Sequence, residues 1–203
     1  MKLAMEAADA HGSKMIIAND PDADRLAVAE LTDEWRTFTG DQVAAVLGYY
    51  IFCENKARGV PLDKMFYAYS TVSSKILKKI AIQEGLKYYE TLTGFKWMCN
   101  KAVEKINEGL FHLMSFEEAI GYCIHDIVLD KDGLSTAAVV CQVYAKLQSE
   151  GRTLTDYLNE IYDKYGYHYQ KNHYFICDDK VKIAAIFADM KNPYPESIGR
   201  YPY

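Results

Sequence analysis

Blocks of apolar and polar residues follow one another along this chain, and their period changes from block to block. Leu3 to Ala10 has helical composition and stops at His11-Gly12. The apolar run Met15-Ile16-Ile17-Ala18 reads as a strand, Leu26 to Glu30 as a second one before a turn around Thr32-Asp33, and Trp35 to Thr39 alternates with period two. Gly40-Asp41 opens a helix to about Phe52, with Val43, Val46, Leu47 and Tyr50 as its apolar positions. Strands and helices then take turns: strand Met65 to Tyr69, helix Lys75 to Glu84, strand Leu86 to Glu90, helix Lys96 to Asn107, strand Phe111 to Phe116. Asp132-Gly133 starts a long helix through Leu147, and Thr153 to Tyr165 forms another. Strand Tyr174 to Cys177 and helix Val181 to Met190 begin one more βα unit. Such alternation predicts an α/β fold, layered around a mixed, largely parallel sheet.

The elements at the two ends have few neighbours against which to bury an apolar face. One helix and two or three strands make a thin half-sheet at the start, and a single βα unit stands at the end. A chain truncated at both ends, the middle of a larger protein, is therefore expected.

Composition narrows the function classes. The chain has 203 residues, half of them hydrophobic, enough to bury a core. A net charge of −5 with scattered basic residues argues against a nucleic-acid partner. Five cysteines, odd in number and never in a C-x-x-C pair, read as reduced thiols of a cytosolic protein. No apolar stretch has the length of a membrane span, and Met1 to Glu6 lacks a signal peptide's apolar core, so a soluble, cytoplasmic chain without a membrane partner is expected.

The densest chemistry lies where the first strand gives out, at Asp20, Asp22, Asp24 and Arg25. Several anionic oxygens on one short turn repel one another unless a cation neutralises them. Carboxylates without His or Cys suit a hard ion such as Mg²⁺ or Mn²⁺. A calcium EF-hand loop counted from Asp20 would need Gly and Glu where Arg25 and Leu31 stand, and fails. A solvated acidic turn punctuated by Pro21 is the plainer alternative. Arg25 either pairs with Asp24 or holds a phosphate oxygen near the metal.

Other loops offer groups of the same kind. Glu117-Glu118 follows a strand, where its acids could accept hydrogen bonds from sugar hydroxyls, or simply lie at a helix N-terminus. Thr93-Gly94-Phe95-Lys96-Trp97 supplies a glycine, a cation for a phosphate and a ring for stacking, or else a core aromatic pair with a solvated Lys96. Lys131-Asp132-Gly133 has the form of a turn and helix cap, leaving Lys131 for proton transfer or phosphate contact near the metal. The hydroxyls of Ser70 to Ser74 read as caps for the helix from Lys75, and His125 as a surface or core histidine.

Taken together, A-N-D-P-D-A-D-R-L-A-V-A-E (18 to 30), S-T-V-S-S-K-I-L (70 to 77), E-T-L-T-G-F-K-W-M (90 to 98), F-E-E-A-I-G-Y (116 to 122) and L-D-K-D-G (129 to 133) resemble the α-D-phosphohexomutase superfamily. The similarity is to its phosphoglucomutase-2 type, which includes phosphopentomutase and glucose-1,6-bisphosphate synthase, and it covers nearly the whole chain in order. It implies a phosphosugar mutase cleft built by four domains, with a phosphorylated sugar as the partner. Asp20, Asp22 and Asp24 would coordinate Mg²⁺, and Arg25 would support a phosphate. Lys131 would lie near the transferring phosphoryl group, Thr93, Gly94 and Lys96 would touch the substrate, and Glu117 with Glu118 would form the sugar loop. Residues 1–38 would be the end of domain two, 39–166 domain three and 167–203 the start of domain four. Ala119 stands where the hexose mutases carry a serine, which leans toward the pentose-phosphate or bisphosphate-synthase branch. No phosphoserine segment of the T-A-S-H-N-P type is present, so the chain alone is not expected to complete a cycle. A haloacid-dehalogenase-like Mg²⁺ phosphatase, which also places D-x-D after a strand, and a non-catalytic sugar-phosphate-binding fragment are the alternatives.

Overall fold

The computed structural model describes residues 1–173, 175–191, 197–198 and 201–202. Contacts divide the chain into two compact units, Met1–Gln170 and Lys171–Tyr203.

The first unit starts with helix α1 (Lys2–His11), which ends at Gly12 in the left-handed conformation (φ 67°) that a glycine adopts without steric cost. Strands β1 (Met15–Asn19), β2 (Leu26–Leu31) and β3 (Trp35–Thr37) form an antiparallel sheet in that order. β3 is shorter than the alternation suggests. Thr39 instead caps helix α2 (Gly40–Ala57), its hydroxyl accepting from Gln42 N while the Gln42 side chain accepts from Thr39 N.

A second sheet has β4 (Met65–Ser70) near its middle, parallel to β5 (Lys87–Thr91) on one side and to β6 (Phe111–Glu117) on the other. All six residues of β4 are buried, which explains its unbroken apolar run: a strand covered on both faces has no polar side to alternate. Met65, Tyr67 and Tyr69 enter the main core with α2, α3 (Ile76–Glu84), α5 (Gly133–Ser149) and α6 (Leu154–Tyr165). Ala68, pointing the opposite way, packs with Phe95, Met98 and Cys99 of α4 (Phe95–Asn107). β7 (Gly121–Ile124) pairs antiparallel with β6 and makes the sheet mixed. Its four residues, all buried, are too few for a period to show in the sequence.

α2 runs five residues past the expected Phe52. Its last turn carries little apolar signal but is tied down from outside, Glu54 by Lys146 at 3.1 Å and Lys56 by Glu84 at 3.3 Å. Glu84 also takes Lys164 Nζ and Tyr165 Oη, both at 2.7 Å, joining α2, α3 and α6. Burial raises its pKa, but these hydrogen bonds outweigh it and bring the carboxyl down from 4.5 to about 2. The folded state thus binds fewer protons than the unfolded chain between those values, so this stabilisation is full above about pH 4.5 and is lost as the pH falls toward 2. Because Lys164 and Lys56 are half exposed, its worth is about 1–2 kcal/mol after solvent screening. Glu84→Gln should lower Tm at pH 7 and narrow the gap to wild type at pH 2. An undiminished gap would contradict the network.

Glu30, 1% exposed in β2, caps α6 from another element. Its carboxylate accepts from Leu154 N (2.8 Å), Thr155 N (3.0 Å) and Thr155 Oγ1 (3.1 Å), negative charge set against the helix N-terminus. Glu30→Ala leaves those donors unpaired and should cost about 2–4 kcal/mol, read as a fall in Tm or denaturation midpoint. A change below about 1 kcal/mol would overturn this account.

His112 is buried in β6, with Nδ1 2.6 Å from His125 O and Nε2 2.9 Å from Ser115 Oγ. Burial depresses its pKa to about 4 and keeps it neutral; with the proton on Nδ1 donated to the carbonyl, Nε2 accepts from the serine hydroxyl.

The second unit contains helix α7 (Lys180–Lys191), as expected from Val181 to Met190, and a short antiparallel pair at Ser197–Ile198 and Tyr201–Pro202. For the strand expected at Tyr174 to Cys177, Tyr174 lies outside the described residues and 175–177 are not in a strand. Among the described residues, no helix is long and apolar enough to cross a membrane.

Candidate functional site

The acidic turn connects β1 to β2, two antiparallel neighbours, so six residues must reverse the chain. Ala23 adopts a positive φ of 58°, and its N–H closes onto Asp20 O at 3.0 Å. Arg25 fastens the other side. Its backbone N donates to Asp20 Oδ1 (3.1 Å), its Nε to Asp20 Oδ2 (2.6 Å), and Asn19 Nδ2 donates to Arg25 O (2.8 Å). With the loop so closed, one oxygen each of Asp20, Asp22 and Asp24 lies within 4.8 Å of the others. Desolvation raises the Asp20 pKa, but the bonds from Arg25 prevail and lower it, keeping the carboxylate charged. Oxygen-only donors at this spacing fit a hard divalent cation.

Lys131, more than a hundred residues away, reaches the same turn, with Nζ 2.8 Å from Asp24 Oδ2. It comes from the loop that starts α5. Asp132 caps that helix through Leu134 N (3.0 Å), its own N–H donates to Tyr122 O (2.9 Å), and Gly133 N donates to Ala23 O (3.0 Å). Gly133 has no room for a side chain, since a Cβ would stand 2.6 Å from Arg25 O, 2.7 Å from Ala23 O, and against Asn19 Nδ2.

Glu117 closes β6, and the turn to β7 brings Gly121 opposite it. A helix N-terminus is thereby ruled out for the Glu117-Glu118 segment. A Cβ on Gly121 would meet Lys131 Cδ at 2.8 Å, Phe95 at 3.0 Å and Glu117 Oε1 at 3.1 Å, so three candidate loops converge on one glycine. Burial holds the Glu117 carboxyl above the ordinary carboxylate range; Lys131 acts against this shift, while Glu118 and Asp24 reinforce it. Leu26 N donates to Ile120 O at 3.1 Å, and a bridge pairs Arg25 with Gly121, which joins the two sheets where metal turn and glutamate turn meet.

Some candidates stand apart from this junction. Glu118 accepts from Ser73 Oγ (3.0 Å), just after β4, and lies 3.4 Å from Ser70 Oγ at the end of that strand. The helix-cap reading of those hydroxyls holds for Ser74, which accepts from Ile76 N at 3.3 Å, and fails for Ser70 and Ser73. Thr93 is exposed, and Gly94 (φ 112°) precedes α4, whose Phe95 places that helix start beside Gly121. Lys96 lies 5.3 Å from the exposed Trp97 ring and makes no ion pair among the described residues. His125 packs edge-on against Phe111. Asn19 and Gly121 lie within the quoted motifs without an assigned role, and the sequence reads Phe95 only as half of a core aromatic pair.

Residues 39–165 match the family model described as phosphoglucomutase/phosphomannomutase, alpha/beta/alpha domain III. Over 211 residues the chain is 43% identical to human phosphopentomutase and 39% identical to human glucose 1,6-bisphosphate synthase, each match covering 99% of this chain and 34% of the relative. Phosphoribomutase of Saccharomyces cerevisiae is 34% identical over 215 residues, covering 100% of this chain and 34% of that one. The chain thus spans about a third of the length of the curated relatives it matches. Among solved structures, parafusin, a phosphoglucomutase of Paramecium, superposes with a TM-score of 0.59 at 20% identity, covering 82% of this chain and 28% of that one. A phosphoglucomutase/phosphomannomutase family protein of Burkholderia thailandensis gives 0.57 at 20% identity, with 77% and 30% covered. At that identity the two structures speak for the fold, and the model match spanning more than half of the chain speaks for descent: the chain belongs to the phosphoglucomutase/phosphomannomutase family and contains its α/β/α domain III.

Proposed function

We propose that this chain forms the metal and sugar side of a phosphosugar mutase cleft, in which a sugar 1-phosphate and its 5- or 6-phosphate are interconverted through a phosphoserine and a bisphosphate. The observation that carries the reading is the meeting of Lys131 and Glu117 at Gly121, with Asp24 paired to that lysine at 2.8 Å. In this reading residues 1–38 end a second domain, 39–166 are the third and 167–203 begin a fourth, and the protein works in the cytoplasm. Asp20, Asp22 and Asp24 would hold Mg²⁺. When bound, Mg²⁺ neutralises charge on a phosphoryl group and fixes its position.

The residues divide the remaining work by their geometry. Arg25 spends Nε on Asp20, which leaves the outer guanidinium nitrogens to donate to a phosphate oxygen. Lys131 carries a proton at Nζ; the hydrogen bond it donates to Asp24 raises its pKa, and the charges of Asp24 and Glu117 add to the rise. Glu117, half buried, can accept a sugar hydroxyl when ionised. Gly94 opens the start of α4 beside them, where Thr93 and Lys96 are exposed to a ligand. Ala119 offers no hydroxyl, which favours a pentose phosphate or a bisphosphate over a hexose monophosphate. The dehalogenase-type alternative has less support, because the acidic turn closes an antiparallel hairpin and the downstream loops supply mutase motifs.

The test is a titration of the chain with ribose 5-phosphate and with glucose 6-phosphate in the presence of Mg²⁺, followed by amide NMR. Shifts confined to residues 20–25, 93–96, 117–121 and 131 are expected, larger for the pentose. An assay of a longer protein containing this chain should show Mg²⁺-dependent mutase turnover. Hydrolysis without isomerisation, or no shifts at these loops, would refute the proposal.

A further inference from the structure

The serines at the end of β4 and just after it have a use that helix capping does not cover. Ser73 is 2% exposed and Ser70 fully buried, and their hydroxyls lie 2.7 Å apart. Ser73 Oγ accepts from Glu118 N at 3.0 Å and donates to Glu118 Oε2 at 3.0 Å, gripping both ends of one residue. With Ser73's proton on the carboxylate, Ser70 Oγ donates its own to Ser73 Oγ and stands 3.4 Å from the same carboxylate oxygen. On the opposite side Gly40 lies against this turn. A Cβ there would come within 2.9 Å of Glu118 C and Ile120 N, and Tyr122 Oη donates to Gly40 O at 3.2 Å. Ile120 takes a positive φ of 58°, a conformation uncommon for an isoleucine and held by these attachments.

We infer that Ser73 is a positioning residue: with Ser70 it anchors Glu118 inward and thereby turns Glu117 outward toward Lys131 and Asp24. In a hairpin turn adjacent residues face different ways, so fixing one carboxylate fixes its neighbour. Glu118 is thus the root of the loop, and Glu117 its reading group. The inference deepens the proposed sugar site and rests on it only for the ligand arm of the test.

The experiment compares wild type, Ser73→Ala and Glu118→Ala by amide hydrogen exchange and by the ¹³Cε resonance of Lys131, with Lys164 as the control. Glu118→Ala cuts the same anchor from its more exposed end and covers the case in which Ser73→Ala does not fold. Expected are a Glu118 amide protected in wild type, at least about tenfold faster exchange there in Ser73→Ala, a shifted Lys131 signal in both variants, and an unmoved Lys164 signal. Binding of ribose 5-phosphate with Mg²⁺ should weaken about tenfold, while Mg²⁺ affinity without sugar is unchanged. An unmoved Lys131 signal in both variants, or an unprotected Glu118 amide in wild type, overturns the inference. Shifted Lys131 with no sugar-phosphate binding even in wild type upholds the anchoring and refutes the sugar site instead.

Discussion

Asp22→Asn is expected to weaken Mg²⁺ binding by about 100-fold or more while leaving Tm within about 2 °C of wild type. Asp22 is the exposed member of the three carboxylates, whereas the other two have work inside the protein. Asp20 holds Arg25 through two bonds, and Asp24 pairs with Lys131 and lies 3.6 Å from Arg25. Removing charge from Asp22 therefore takes a ligand from a hard cation without loosening the turn. Asp20→Asn should do both, lowering affinity and Tm together, because Arg25 loses its partner. Calorimetric titration with Mg²⁺ beside a thermal melt separates the two variants. An Asp22→Asn protein that binds Mg²⁺ as wild type does would remove Asp22 from the ligand set and leave the acidic turn as a solvated loop.

Gly133→Ala is expected to destabilise the fold by about 2–3 kcal/mol and to lower Tm by about 5–10 °C. The added methyl would run into the carbonyls of Ala23 and Arg25 and the amide of Asn19, two of them backbone groups that cannot rotate aside. Since those atoms shape the metal turn, Mg²⁺ affinity should fall as well. Gly59→Ala is the control. Gly59 has a φ of 82° with nothing within 4 Å of a Cβ, so it meets only the backbone penalty of about 1 kcal/mol and should leave Mg²⁺ binding unchanged. Gly133 has no positive φ, so a loss no larger than that of Gly59→Ala would mean that the surrounding groups give way to the methyl.

Most elements were legible because their cause is local. The unbroken run at β4 follows from burial on both faces, and Gly12 marks the end of α1 by its positive φ. Elements whose cause lies elsewhere were misjudged. The last turn of α2 depends on lysines and acids of other helices, and β7 is a strand because β6 lies beside it. Serines after β4 look like helix caps until Glu118, 45 residues further on, is seen bonded to Ser73.

The site divides in the same way. Spacing alone placed Asp20, Asp22 and Asp24 on one turn, since a short hairpin connection cannot keep alternate residues far apart. It could not say that Lys131 reaches Asp24, that Glu117 and Glu118 face different partners, or that Gly40, Gly121 and Gly133 are glycines because other loops press against them. Those facts depend on distances between segments remote in sequence, and only the packing of two sheets along the Arg25 and Gly121 bridge sets such distances. What the chain determined by itself was the chemistry available, residue by residue; the tertiary structure decided which of those groups share a cleft and which act as its supports.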